Sequence, residues 1–387
     1  MDFEYWWLIA IPLFFALGWI AARIDIHQLL SESASLPAAY FKGLNFLITD
    51  QHDKAIEAFI EAAQANEESL ELHFALGSLF RRTGEVDRAI NLHLSLLERK
   101  ELPIEQRKAI KAELAQDYLK AGLYDRAEEL FTSLDDSRYK QPALRALLEI
   151  FIREREWQRA IKTATELERV SGIPFRKEVA QFYCEMAIKS ILDHDAHTAR
   201  HELEMALDAN KNCVRANIML GDMEAGSKAH KLAIGFWKRV EFQKPDCLGM
   251  VANKLLNSYR ELGELDEGIS LLKEYFQSYK LPSLLTVVFE ITLAEQGPDA
   301  AAKLALNDLE RKPSLQTLDQ LLKARDLQSN NVQSDNSLMH QTIRYAIGNR
   351  NAYCCEQCGF KARNFHWQCP ACNAWESLPA EPKETAA

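Results

Sequence analysis

Glycine and proline are scarce in this chain, 15 and 12 of 387 residues. A fold of many short strands joined by tight turns is therefore not expected. Positive charge is in deficit too: 46 Lys and Arg stand against 56 Asp and Glu, a formal net charge of −10. That balance argues against nucleic acid as the main partner. The G-x-x-x-x-G-K-[ST] loop, the H-E-x-x-H helix and the G-x-S-x-G elbow are all missing, so the chain offers no motif for a phosphate cradle, a zinc peptidase or an esterase. The eight cysteines do not form a framework along the whole chain: Cys184, Cys213 and Cys247 are scattered, and five crowd between Cys354 and Cys372. Such crowding points to metal chemistry rather than disulfides. With 47% apolar and 26% charged residues the chain is ordinary folded protein, too long for one core and suited to two or three packed units or one long array.

One long uncharged stretch is present. Residues 5–22 read YWWLIAIPLFFALGWIAA, and eighteen helical residues at ~1.5 Å each cover about 27 Å, enough to cross the hydrocarbon of a bilayer. Trp6, Trp7 and Trp19 stand near its ends, where aromatic rings favour the headgroup level. A secretory signal would begin with basic residues, whereas Asp2 and Glu4 precede this run. A buried core helix would rarely be apolar on every face. We expect a retained transmembrane anchor at 1–22 and a linker at 23–35. Arg23, Lys42 and Lys54 follow the run and no Lys or Arg precedes it, which places the bulk of the chain in the cytoplasm.

From 36 to 326 the chain repeats. Ala55, Ala89, Ala127, Ala160, Ala199, Ala233, Gly268 and Ala301 recur at intervals of 33 to 39 residues, close to a 34-residue unit. Twelve residues before these lie Gly43, Gly77, Ala115, Ala187 and Gly221, with larger Leu148, Leu256 and Phe289 in the other units. Nine before lie Phe46, Phe80, Tyr118, Phe151 and Tyr259, a pattern broken by Ser190, Glu224 and Thr292. Four residues after stand Phe59, Phe131, Leu203, Trp237 and Leu272. Small residues let two antiparallel helices approach, and the larger ones fill the space between neighbouring pairs. Gly84, Gly122 and Gly263 fall at the turns. The pattern resembles the tetratricopeptide repeat family, with about eight copies and a capping helix; the competing expectation is an unrelated helical bundle. Such arrays bind other proteins along an exposed face lined by the first helix of each pair. Arg81, Arg82, Arg145, Arg153, Arg215 and Arg260 are expected on or near that face, where they could clamp a partner's carboxylates.

His194, His197 and His201 could share a helical face at i, i+3 and i+7, but in the repeat register His194 falls in a turn and the three read as solvated. Cys184, Cys213 and Cys247 read as small core residues.

After a polar linker and helix at 327–350, residues 351–378 change character. Cys355, Cys358, Cys369 and Cys372 form C-x₂-C-x₁₀-C-x₂-C. Four thiolates in two knuckles match a closed tetrahedral site for a soft cation, with zinc favoured and iron also compatible. Gly359 and Asn373 follow the second cysteine of each pair, where left-handed backbone is expected. Phe360, Phe365, Trp367 and Trp375 are expected to supply a small core. Cys354 is left over. The segment resembles rubredoxin-like and zinc-ribbon modules, and residues 379–387 form a tail. The filled shell marks the site as structural, and no catalytic set is found.

The order of parts, an anchor, a tetratricopeptide array and a CEQCGF…HWQCPACNAWES ribbon, closely resembles the lipopolysaccharide assembly protein B (LapB, or YciM) family of Gram-negative bacteria over essentially the whole chain. The fold class is thus all-α, a repeat solenoid with an amino-terminal transmembrane helix and a carboxy-terminal zinc ribbon. The resemblance carries the metal-ligand role to Cys355, Cys358, Cys369 and Cys372. It implies a non-enzymatic adaptor in the inner membrane that acts beside FtsH, a membrane-anchored protease, to promote degradation of the LpxC deacetylase. A membrane protein that reports lipopolysaccharide level is a further implied partner. The alternatives are a scaffold gathering lipopolysaccharide synthesis and export enzymes, and an iron-bearing electron carrier.

Overall fold

The structure is a computed structural model that describes residues 38–66, 69–99, 102–134, 137–328, 334–348 and 353–381. The expected anchor at 1–22 and linker at 23–35 lie outside the described residues. No helix among the described residues is long and apolar enough to cross a membrane. Contacts divide the chain into two compact units, Met1–Glu154 and Arg155–Ala387, and the repeat expected about Ala160 straddles that division.

In the first unit three helical hairpins follow one another: α1 (Ala38–Ile48) with α2 (His52–Ala65), α3 (Leu70–Thr83) with α4 (Val86–Leu97), and α5 (Ile104–Ala121) with α6 (Tyr124–Thr132). Helix α7 (Ser137–Arg153) packs on α5 and α6. The second unit opens with α8 (Trp157–Ser171), which packs on α9 (Arg176–Leu192), the partner of α10 (Ala196–Ala209). Three more hairpins follow: α11 (Val214–Gly226) with α12 (His230–Gln243), α13 (Leu248–Glu261) with α14 (Leu265–Tyr279), and α15 (Pro282–Gln296) with α16 (Pro298–Arg311). Helix α17 (Leu315–Gln328) covers the last hairpin, and α18 (Ser334–Gly348) lies on α17.

The small residues of the repeat are where these helices touch. Ala55, Ala89, Ala127, Ala160, Ala199, Ala233 and Ala301 are wholly buried. Glycines on the first helix of a pair face the largest side chains on the second. A Cβ at Gly221 would lie 2.3 Å from Trp237 Nε1, one at Gly77 would lie 2.4 Å from His93 Cε1, and one at Gly43 would lie 2.9 Å from Phe59. Trp237 donates its indole N–H to the Ile218 carbonyl at 3.2 Å, so its one polar atom is satisfied in the core.

The hairpin turns repeat as well. The backbone N–H of Gln51, Glu85, Leu123, Asp195, Ala229 and Glu264 donates to the carbonyl five residues earlier, on Phe46, Phe80, Tyr118, Ser190, Glu224 and Tyr259. This is the closure of a helix through a left-handed residue. Gly84 and Gly122 supply it with φ +88° and +76°, and His194 takes the same conformation without glycine's freedom. Where the aromatic pattern breaks, polar pairs replace it: Ser190 donates to Glu202 at 2.7 Å, and Glu224 is ion-paired with Arg200.

His93 fills a position that is aromatic or aliphatic in most units, and it carries a charge network with it. Its Nδ1 meets Asp117, and both side chains are wholly buried. Arg81 reaches the same carboxylate at 2.6 Å and Glu113 at 2.6 Å. Helices α3, α4 and α5 are thus joined by a satisfied buried acid, and leaving it buried without its partners would cost several kcal/mol.

Gly221→Ala is expected to lower the thermal unfolding midpoint, a loss of about 1–3 kcal/mol from overpacking against Trp237. An unchanged midpoint would contradict the close approach of α11 and α12.

Candidate metal centre and its seat on the helices

The carboxy-terminal module is built from two similar knuckles. Strands β1 (Tyr353–Cys354) and β2 (Lys361–Ala362) pair antiparallel, Tyr353 opposite Ala362, and a lone bridge joins Gln368 to Trp375. In the first knuckle the Cys355 N–H donates to the Phe360 carbonyl and the Gly359 N–H to the Cys355 carbonyl. In the second, Cys369 donates to Ala374 and Asn373 to Cys369. Gly359 and Asn373 hold φ of +74° and +58°. Asparagine is among the few other residues that tolerate this conformation.

These turns bring Cys355, Cys358, Cys369 and Cys372 together, all four sulfurs within 4.8 Å of one another. The Sγ–Sγ distances are 3.7 Å for Cys355–Cys372 and 3.7 Å for Cys358–Cys369. Sulfurs held at ~2.3 Å from one tetrahedral cation stand about 3.8 Å apart along each edge, whereas a disulfide is ~2.05 Å. The thiol set therefore fits an S₄ metal cage. The Ser377 hydroxyl, 3.3 Å from Cys355 Sγ, lowers that thiol to about 6. Cys358 receives the Phe360 N–H, which favours its thiolate, yet desolvation and three neighbouring sulfurs push it up to about 12. Four sulfurs this close do not ionise together without a cation among them. Cys354 points away, towards the Gly359 carbonyl. No other group of three or more metal-ligating side chains converges among the described residues. His194, His197 and His201 are exposed, and Cys184, Cys213 and Cys247 are wholly buried.

The module's own core is small: Cys355, Ala362, Cys369 and Leu378, with Tyr353, Phe360 and Phe365 against them. Trp367, expected to belong to it, meets Phe365 edge-on at 4.9 Å between ring centroids and reaches the helices as well, whereas Trp375, expected there too, turns to the helices. Trp375 meets Trp157 and Phe182 edge-on, at 6.3 and 6.1 Å between ring centroids. Trp367 packs on the core shared by α11 to α15. Arg215 lies beside both indoles, 5.9 Å from each ring centre, and pairs with Glu185 at 2.7 Å. It also donates to the Gln181 side-chain oxygen at 3.2 Å, while the Gln181 amide donates to Glu376 at 2.6 Å. Further along, Glu381 accepts the Ser283 N–H at 3.3 Å and its hydroxyl, at the start of α15. A carboxylate there complements the helix dipole.

The six arginines expected to meet a partner occupy different settings. Arg215 is buried beneath the ribbon, and Arg81, with 16% of its side chain exposed, is held by Glu113 and Asp117. Arg153 is exposed but bonded to Glu149 and Tyr124. Arg82 and Arg145 are exposed. Arg260, also exposed, borders a cavity of ≈ 370 Å³ floored by Leu256, Ile269 and Val287. Gln181, Glu185, Phe182 and Glu376, which seat the ribbon, were not anticipated. The one available signal is Arg215 itself, a cation in the first turn of α11, where the helix dipole disfavours it without acidic partners.

Fold and site together define a helical-repeat protein of tetratricopeptide type that carries a rubredoxin-type ribbon. Residues 353–380 match the family described as "Rubredoxin metal binding domain", and residues 42–100 match "Tetratricopeptide repeat". The chain belongs to the lipopolysaccharide assembly protein B family. It is 32% identical to that protein of Escherichia coli (strain K12), over 95% of this chain and 96% of the relative. It is 29% identical to that of Haemophilus influenzae over the same shares. Among solved structures, yeast Tom70 is similar at 12% identity, with a TM-score of 0.31 over 80% of this chain and 83% of that one.

Cys355→Ser or Cys372→Ser is expected to abolish metal binding and unfold the ribbon, because folding of such modules is coupled to the metal. Elemental analysis with one-dimensional NMR checks this, and a full equivalent of tightly held metal in either variant would contradict the ligand set. Arg215→Ala leaves Glu185 and Gln181 without a donor and should destabilise the ribbon's seat by about 1–3 kcal/mol. Limited proteolysis should then cut the ribbon faster than in the parent.

Proposed function

We propose that this chain is a membrane-tethered adaptor that restrains lipopolysaccharide synthesis by presenting the LpxC deacetylase to an FtsH-type protease. The observation that carries this reading is the likeness to lipopolysaccharide assembly protein B across 95% of the chain, joined to a fold of protein-binding repeats. The thiol cage supports a non-enzymatic role: four cysteines complete a tetrahedral shell and leave no open position for substrate. Cys355, Cys358, Cys369 and Cys372 would hold zinc, whose chemistry here is to lock the two knuckles together.

Residues 1–22 would anchor the chain in the inner membrane with its bulk in the cytoplasm. Sharing a membrane with the protease raises the effective concentration of the bound client there. The apolar helix at 5–22 is also the segment that a membrane protein reporting lipopolysaccharide level would contact. Exposed Arg82, Arg145 and Arg260 would meet client carboxylates, while Arg81 and Arg215 brace the scaffold.

The half-life of LpxC in cells tests the proposal. Depletion of this protein should lengthen it, and a chain lacking residues 1–22 should restore it poorly. An unchanged half-life on depletion would favour a scaffold of synthesis and export enzymes. Arg82→Glu with Arg145→Glu should weaken client capture several-fold without changing the unfolding midpoint.

A further inference from the structure

Helix α1 differs from every other helix among the described residues. It reads AAYFKGLNFLI, and of the eighteen described α-helices it alone contains no Asp or Glu, in a chain with 56 acidic residues. Phe41, Leu44 and Ile48, spaced i, i+3 and i+7, make one face. They are 59%, 37% and 84% exposed. Gly43, on the other side, is buried against Phe59, and Tyr40 lies at the edge of the stripe, its ring between Phe41 at 5.7 Å and Phe59 at 5.5 Å. Lys42, next to Phe41 in the chain, is exposed as well, its ammonium 6.0 Å from the Phe46 ring centre. An exposed apolar stripe on a helix with a lysine and no carboxylate is the pattern of a helix that lies in the interface of an anionic bilayer.

The position of α1 in the chain names the occupant. Fifteen residues, 23–37, separate it from the uncharged run at 5–22, and they span at most about 50 Å when fully extended. If that run crosses the membrane, α1 is the first described element within reach of the lipid surface. We propose that α1 rests on the bilayer, with Phe41, Leu44 and Ile48 at the boundary of headgroups and acyl chains and Lys42 beside lipid phosphate. This rests on the membrane-tethered reading above and adds to it: the first hairpin is held against the membrane by its own face as well as by the tether. The first unit of the array then has a fixed face towards the lipid, which orients its other surfaces.

The test uses the full chain reconstituted into vesicles of phosphatidylethanolamine and phosphatidylglycerol. A photoreactive benzoylphenylalanine is placed in turn at Ile48, at Leu13 inside the apolar run, and at exposed Glu61 on α2. Lipid adducts are expected at Leu13 and Ile48, several-fold above those at Glu61. Lys42→Glu should reduce the Ile48 adduct several-fold and leave Leu13 unaffected. Adducts at Leu13 with Ile48 joined to a second copy, joined to residues 23–37, or unreacted would overturn the proposal and leave the anchor standing. No lipid adduct at either position would overturn the anchor, and this proposal with it.

Discussion

The approach of two helices at a residue with almost no side chain governs this structure. Gly221 against Trp237 and Gly77 against His93 allow the first helix of a hairpin to lie over the bulkiest group of the second. A hairpin packed this way still has apolar surface on its outer sides, so it is stable only beside another hairpin. Within each unit the result is a run of pairs that share apolar clusters, such as the one that extends from Val214 to Ile291 across α11 to α15. Helix α17 closes the last pair with Leu321 and Ala324 buried against Phe289 and Ala301.

The ribbon follows the same logic at smaller scale. About thirty residues cannot bury enough apolar surface to fold alone, and here the deficit is met in two ways. The thiols converge on a tetrahedral arrangement that a cation would lock. The tryptophans lie on the helices, with Arg215 between them and its charge neutralised by Glu185. A positive charge buried under two indoles is tolerable because its guanidinium is both paired and stacked. Ribbon and helices α9 to α15 are therefore one structural object, and the face they cover is closed to a partner.

Local steric rules made much of this readable from sequence. The repeat phase follows from size alone, and the seven alanines in it are wholly buried. The convergence of Cys355, Cys358, Cys369 and Cys372 follows from spacing, because a knuckle is a local turn. Ser190 and Glu224 looked like failures of the pattern, yet they are positions where hydrogen bonds and ion pairs do the work of aromatic packing. The arginines were less legible. Exposure depends on what arrives from elsewhere, and the ribbon that covers Arg215 reaches through its Glu376 to Gln181, 195 positions earlier in the chain. Arg81 likewise meets carboxylates of a later hairpin. Trp375 is expected in the ribbon core for the same reason: proximity in the chain stands in for proximity in space, and its ring meets Trp157 and Phe182 instead.

A surface built of tetratricopeptide-type repeats suits a protein that binds other proteins. Membership of the lipopolysaccharide assembly protein B family gives that role its setting, and the proposed adaptor mechanism assigns the partners. Its most direct test is reconstitution of an FtsH-type protease, LpxC and this chain in one population of vesicles, with the initial rate of LpxC loss as readout. The account predicts a faster rate with the full chain than with a chain lacking residues 1–22, and the slowest rate with neither. Equal rates in the presence and absence of the full chain would contradict it.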